Sequence, residues 1–225
     1  LTLCTGANNA KAQTVKHQPT WGHGEVPKEF LEGTDDIFAE IDGASENTVF
    51  EINARISIKE MLESGIILFG DSISNYINTL GHEILRRNKI QDNIRFYVLR
   101  SPTFNAYSFD QCSIFVYVGS IAGCAIEDEL AFVICHENVH YLHKHSYESY
   151  NRRTEIDNFD EDALTDKVLD YFKYSRHNES EADSIGIDLF IQAGFDTSHL
   201  ANAVRNLAPE AMWNQEYNWS PAYLE

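Results

Sequence analysis

Apolar residues along the chain follow two spacings. Phe50, Ile52, Ile56, Ile58, Met61 and Leu62 recur at helical intervals. Ile73, Tyr76, Ile77, Leu80, Ile84 and Leu85 do so more clearly, after an Asp71-Ser72 cap. Residues 94–100, Ile94-Arg95-Phe96-Tyr97-Val98-Leu99-Arg100, are rich in strand formers and stop at Ser101-Pro102. A second strand is predicted over Ser113–Val118, closed by Gly119. Helical spacing returns from Glu127 to about His145, with Ile126, Leu130, Val133, Ile134 and Val139 as its apolar positions. Acidic residues at 127–129 suit the positive end of that helix dipole. The polar, acidic stretch Thr154–Asp162 predicts a surface loop. Ala163–Tyr174 and Glu179–Ala193 predict two more helices, the second ended by Gly194. Residues 13–34 carry Pro19, Gly22, Gly24, Pro27 and Gly33 without a sustained period and read as an irregular leader. Helices, two strands and then helices predict one α+β domain with a small sheet, over residues 35–225.

Composition supports a packed domain and narrows the partners. The 225 residues are 43% hydrophobic and 12% aromatic, enough for a sizeable core. A formal charge of −18 argues against nucleic acid, whose phosphates would be repelled, and disfavours docking on an anionic membrane. No apolar run approaches the ~20 residues that span a bilayer. The four cysteines, Cys4, Cys112, Cys124 and Cys135, are too few and too irregularly spaced for a disulfide scaffold. None forms a C-x-x-C pair, although Cys112 and Cys124 could bridge in an oxidising compartment. Near the start, Leu1-Thr2-Leu3-Cys4 followed by Ala10-Lys11-Ala12 resembles the tail of a secretory signal with an A-x-A site before Gln13. The first residue is not Met, which fits an upstream segment. An ordinary N-terminus and a lipid anchor on Cys4 are the alternatives, the anchor disfavoured by Leu3. The expectation is a protein working outside the cytoplasm, its mature chain starting near Gln13.

The sharpest chemical signal is His136-Glu137-Asn138-Val139-His140, an H-E-x-x-H pattern inside a predicted helix. Residues four apart on a helix project from one face, so two imidazoles can grip one ion. Glu137 lies beside the pair and can take a proton from water activated at the metal. A solvated helix face is the bland alternative. His82-Glu83 is a decoy, because position 86 is Arg. A catalytic site needs a third protein ligand and an open position. Asn178-Glu179-Ser180-Glu181-Ala182-Asp183 supplies the candidate. On a helix Glu179 and Asp183 share a face, while Glu181 points elsewhere. Glu179 can bind the metal and Asp183 can accept a ring N–H from a ligating histidine.

With those residues in hand, the chain resembles the gluzincin zinc endopeptidases that include the CAAX prenyl proteases, HtpX and the soluble envelope BepA/LoiP-type peptidases. The matching segments are Gly70-Asp71 through Tyr76 to Leu85, Asn105-Ala106-Tyr107, the helix around His136 to His140, and Glu179 through Gly186. The last runs on to Ala193-Gly194-Phe195-Asp196. The resemblance implies a mostly helical zincin-like fold and one Zn2+ per chain on His136, His140 and Glu179. It implies Glu137 as general base, Asp183 as a partner of a ligating histidine, and cleavage of internal peptide bonds of proteins in envelope quality control. It also implies that Ile114, Phe115, Val116 and Tyr117 form an edge strand beside the cleft, where an extended substrate could add main-chain hydrogen bonds. The chain departs from the family at Phe109-Asp110-Gln111-Cys112, where a proline-glycine-glycine segment is usual. It also lacks a match to the late His or Arg that often steadies the oxyanion. The competing reading is a non-catalytic chaperone-like or adaptor module with a structural zinc site, against which the presence of Glu137 speaks.

Other residues read more plainly. His143 and His145 suit the negative end of a helix. His177 and His199 are possible cleft residues. Trp213, Tyr217, Trp219 and Tyr223 suggest a packed C-terminal segment. Asn178-Glu179-Ser180 is formally a glycosylation sequon but includes a proposed ligand. No serine lies in a Gly-x-Ser-x-Gly context.

Overall fold

The structure, a computed structural model, describes residues 46–109, 113–157 and 161–207. The expected leader, the signal-like segment with Cys4, Cys112 and the C-terminal aromatic cluster lie outside the described residues.

The chain runs through α1 (Glu46–Ser64), β1 (Ile67–Leu68), α2 (Ser72–Arg87), β2 (Arg95–Leu99), β3 (Ala106–Phe109) and β4 (Ser113–Tyr117). Then follow α3 (Val118–Gly123), α4 (Glu127–Leu142), α5 (His145–Asp157), α6 (Glu161–Gln192), a 3-10 turn (Thr197–His199) and α7 (Leu200–Asn206). The expected cap of α2 is present, with the Asp71 carboxylate accepting from the Ile73 and Ser74 amides at 2.8 and 2.9 Å. Those bonds, with one from the Ser74 hydroxyl, outweigh partial burial and hold the Asp71 carboxyl below its usual range. At the far end, Gly194 takes φ +80 just past α6, where side chains are strained, and its amide caps the Ile191 carbonyl at 2.9 Å.

The four strands form one mixed sheet in the order β1-β2-β4-β3. The β2–β4 pair is parallel, and β1–β2 and β3–β4 are antiparallel. Alternation along the strands separates two cores. Phe96, Val98, Ala106, Ile114 and Val116 pack with apolar residues of α2 and α4. Tyr97, Leu99 and Phe115 face the other way, against Ile58 and Leu62 of α1. Tyr97 and Tyr107 stack on either side of Phe115 at 5.4 and 5.3 Å.

Helix α4 lies within this arrangement, and its residues from Glu129 to Val139 are all buried. Its three leading acids are each engaged. Tyr76 donates to Glu127, His199 pairs with Asp128, and the Ala125 amide donates to Glu129. His199 therefore ties the start of α4 to the 3-10 turn, and His177 is exposed. Among the described helices, none is long and apolar enough to cross a membrane.

Four expectations are corrected. The edge-strand assignment of Ile114, Phe115, Val116 and Tyr117 fails, because β4 is paired on both sides. Its run of buried apolar residues is the mark of a central strand, covered on both faces. The outer place goes to β3, where, as at β1, the apolar spacing predicts no strand. Residues 163–192 are not two helices but part of one 32-residue helix, and Ala193 lies in the turn that ends it. The polar stretch Ser175-Arg176-His177-Asn178 contains no Gly or Pro to break it, and polarity alone only exposes a helix face. Finally, α5 extends to Asp157, so residues 154–157 are helical, and α4 stops at Leu142 rather than near His145.

Candidate metal centre

The H-E-x-x-H residues lie in the last turns of α4, and Glu179 and Asp183 come from the middle of α6. The two helices approach closely because α6 has Gly186 at the crossing. A Cβ there would lie 3.3 Å from both Cα and N of His136. Packing at this distance brings the acidic face of α6 over the His136 ring.

Three donor atoms converge. His136 Nε2 and His140 Nε2 are 2.9 Å apart. Glu179 places one carboxylate oxygen 3.4 Å from His136 Nε2 and the other 3.6 Å from His140 Nε2. Four donors at zinc–ligand lengths of about 2.0–2.1 Å in a tetrahedron are roughly 3.3–3.4 Å apart. The Glu179 contacts lie near that spacing, while the two imidazole nitrogens sit closer, at hydrogen-bond length, and would part by about half an ångström around such an ion. On the far side of His136, Nδ1 meets Asp183 Oδ1 at 3.0 Å. The expected grouping of His136, His140 and Glu179, with Asp183 behind the first ring, is thus present. Glu137 is buried beside it and helps keep His136 charged.

Two residues that sequence reasoning discounted also reach the site. His145 Nδ1 is 2.9 Å from His140 Nδ1, and His145 Nε2 is 3.0 Å from Glu181 Oε2. In a continuous helix, positions 140 and 145 are about 140° apart around the axis and cannot meet. The helix does not continue: Lys144 adopts φ 56, and α5 starts in a new direction at His145. No Gly after Leu142 marks this break, so the sequence carried little signal for it. The His143 ring shares the same acid, its Nδ1 lying 3.4 Å from Glu181 Oε2.

Proton bookkeeping along these contacts shows what the site holds. A neutral imidazole has one N–H and one lone pair, assigned here from the network. Carboxylates only accept, so His136 donates from Nδ1 to Asp183 and His145 donates from Nε2 to Glu181. His145 Nδ1 is then a lone pair, and His140 must donate to it from Nδ1. Burial and the neighbouring His140 hold His145 below its ordinary pKa, consistent with a neutral ring. What remains is two lone pairs, on His136 Nε2 and His140 Nε2, facing each other beside the Glu179 carboxylate. That arrangement is stable only around a cation. In the metal-free protein a proton serves. Burial of His136 opposes its charge, but Asp183 and Glu179 outweigh this and push its pKa up to about 10. Burial raises Glu179, yet the His136 and His140 rings facing it hold it well below the carboxylate range. A divalent cation fits the same place, with nitrogen and oxygen donors of the kind zinc accepts.

An open cleft adjoins the centre, lined by His140, His145, Ser146, Ser149, Asn178 and Glu179. Asn178 itself is buried, which does not suit a glycosylated residue. Cys124 and Cys135 are free thiols, and burial pushes Cys124 up to about 12 and Cys135 higher still.

Residues 72–158 match the family model described as Peptidase family M48. The chain resembles that family of peptidases. The M48 match takes in His136, Glu137 and His140, while Glu179 and Asp183 lie beyond it. Among curated proteins, the chain is 21% identical to the beta-barrel assembly-enhancing protease of Yersinia pestis over 179 residues, covering 69% of this chain and 37% of that one. It is 26% identical to the putative beta-barrel assembly-enhancing protease of Vibrio cholerae, covering 67% and 36%. It is 36% identical to the mitochondrial metalloendopeptidase OMA1 of Schizosaccharomyces pombe over 112 residues, covering 44% and 33%. The chain therefore spans little more than a third of the length of these relatives. The matched family is one of peptidases, and these three relatives are named as proteases or as a metalloendopeptidase.

Proposed function

We propose that this chain carries the catalytic centre of a zinc-dependent endopeptidase that cuts internal peptide bonds of proteins. The observation that carries the reading is the pair of facing imidazole nitrogens, 2.9 Å apart and bracketed by Glu179, with an acid next to the first ligand. His136, His140 and Glu179 would hold one zinc ion. Such an ion supplies Lewis-acid polarisation of the attacking water and of the peptide carbonyl.

The remaining work belongs to the protein's own groups. Glu137 takes the proton of the attacking water and hands it to the leaving nitrogen. Asp183 holds the His136 ring by its Nδ1–H, so that Nε2 stays turned towards Glu179. Strand β3 packs against α4 and is outermost in the sheet among the described residues. An extended substrate segment would add to its free side, a part the sequence reading gave to β4. Its resemblance to beta-barrel assembly-enhancing proteases favours protein substrates in envelope quality control, outside the cytoplasm.

The test compares zinc content and casein cleavage of the wild type with Glu137→Gln. The variant should keep one zinc per chain and lose cleavage by roughly 10²–10⁴-fold, the usual worth of a general base. Undiminished cleavage would remove Glu137 from the mechanism. If wild type and variant both hold one zinc and neither cleaves any protein, the centre is structural, as in an adaptor module.

A further inference from the structure

We infer that His145, backed by Glu181, is a positioning residue that fixes the His140 ring for the metal, and that it cannot serve as a ligand in a second metal site while the first is filled. The inference rests on the metal centre proposed above. It arises because His143, His145 and Glu181 also bring nitrogen and oxygen atoms close enough to share an ion. Taken alone, that cluster reads as a second cation site. Its contacts decide otherwise.

His145 bridges the two groups, with Nδ1 at 2.9 Å from His140 and Nε2 at 3.0 Å from Glu181. To bind an ion in the second cluster, His145 would offer the lone pair of Nε2, the atom that faces Glu181. Its single proton would then move to Nδ1 and point at His140. His140 would have to accept on Nδ1 and carry its own proton on Nε2, the atom turned towards His136 and Glu179. A protonated Nε2 cannot ligate. Occupying the second cluster therefore removes a ligand from the first. With His136, His140 and Glu179 loaded, the only consistent direction runs from His140 Nδ1–H to His145 Nδ1 and from His145 Nε2–H to Glu181. The second ligand imidazole is then anchored by a histidine–carboxylate pair, as the first is anchored directly by Asp183. His143 lies at 3.4 Å from Glu181, is more exposed, and has no part in this chain of bonds.

The experiment measures zinc affinity by chelator competition, zinc stoichiometry after desalting, and the visible spectrum of the cobalt-substituted protein. It uses the wild type, His145→Ala, His145→Asn, Glu181→Gln and His143→Ala, with melting of each metal-free form as a control on folding. Wild type should retain one ion per chain. His145→Ala should lose about 10–100-fold in affinity and shift the cobalt spectrum. His145→Asn can place an amide oxygen near the former Nδ1 and should recover most of both. Glu181→Gln keeps an acceptor without the charge and should fall between, and His143→Ala should match the wild type. His145→Ala and His145→Asn both binding as the wild type does would overturn the inference. So would two ions retained per chain, or equal losses in His145→Ala and His143→Ala. Should His145→Ala fail to fold, Glu181→Gln against His143→Ala carries the comparison. A wild type that binds no zinc at all would instead sink the metal centre itself, which keeps the two failures apart.

Discussion

At the scale of single residues, the proposed centre would be a contest between one proton and one metal ion for the same lone pairs. Asp183 and Glu179 keep His136 protonated up to about 10 in the metal-free protein, despite its burial. Zinc needs that nitrogen deprotonated, so binding must expel the proton. Below about 10 each unit of pH increase removes part of the competition, and affinity should rise nearly tenfold per unit around neutrality. Calorimetry in buffers of different ionisation enthalpy should show close to one proton released per ion at pH 7. A release near zero would mean that His136 is already neutral there. Glu137 belongs to the same scale: His136 and His140 could bind an ion without it, and the proposed mechanism gives it the proton of the reaction.

At the scale of elements, the site depends on two helices meeting at a glycine and on a third leaving at an angle. Gly186 lets α6 lie against the backbone of α4 at His136. Gly186→Leu should force the helices apart, at a cost of ~1–3 kcal/mol in stability from overpacking. Because Glu179 and Asp183 ride on the same helix, zinc affinity should fall with it, measurable by urea unfolding and chelator competition. Unchanged affinity would show that the acids reach the histidines without that close approach. The break at Lys144 acts differently: it turns His145 back towards His140 and would be invisible to any helical-wheel argument.

At the scale of the molecule, the proposed ion would tie α4 to α6, which are separated in sequence by α5. A ligand bound only by the folded chain stabilises it in proportion to its saturation. Zinc at a free concentration one hundred times its dissociation constant should add about 2.7 kcal/mol. Chelation should lower the melting temperature by several degrees, and added zinc should restore it. A melting temperature indifferent to both would mean that the ion is not bound between these elements.

The sequence by itself determined the local parts. Apolar spacing gave α1, α2, most of α4, β2 and β4, and the i, i+4 histidines and i, i+4 acids marked the four side chains that meet at the candidate centre. These follow from the period of a helix or strand, which is written in neighbouring residues. Tertiary structure decided what neighbours cannot encode. Sheet order put β4 in the middle and β3 outside, because pairing is set by which faces the helices cover. A left-handed residue at Lys144 and the packing of α5 on α6 joined His145 and Glu181 to the centre, residues that a straight helix would have kept apart.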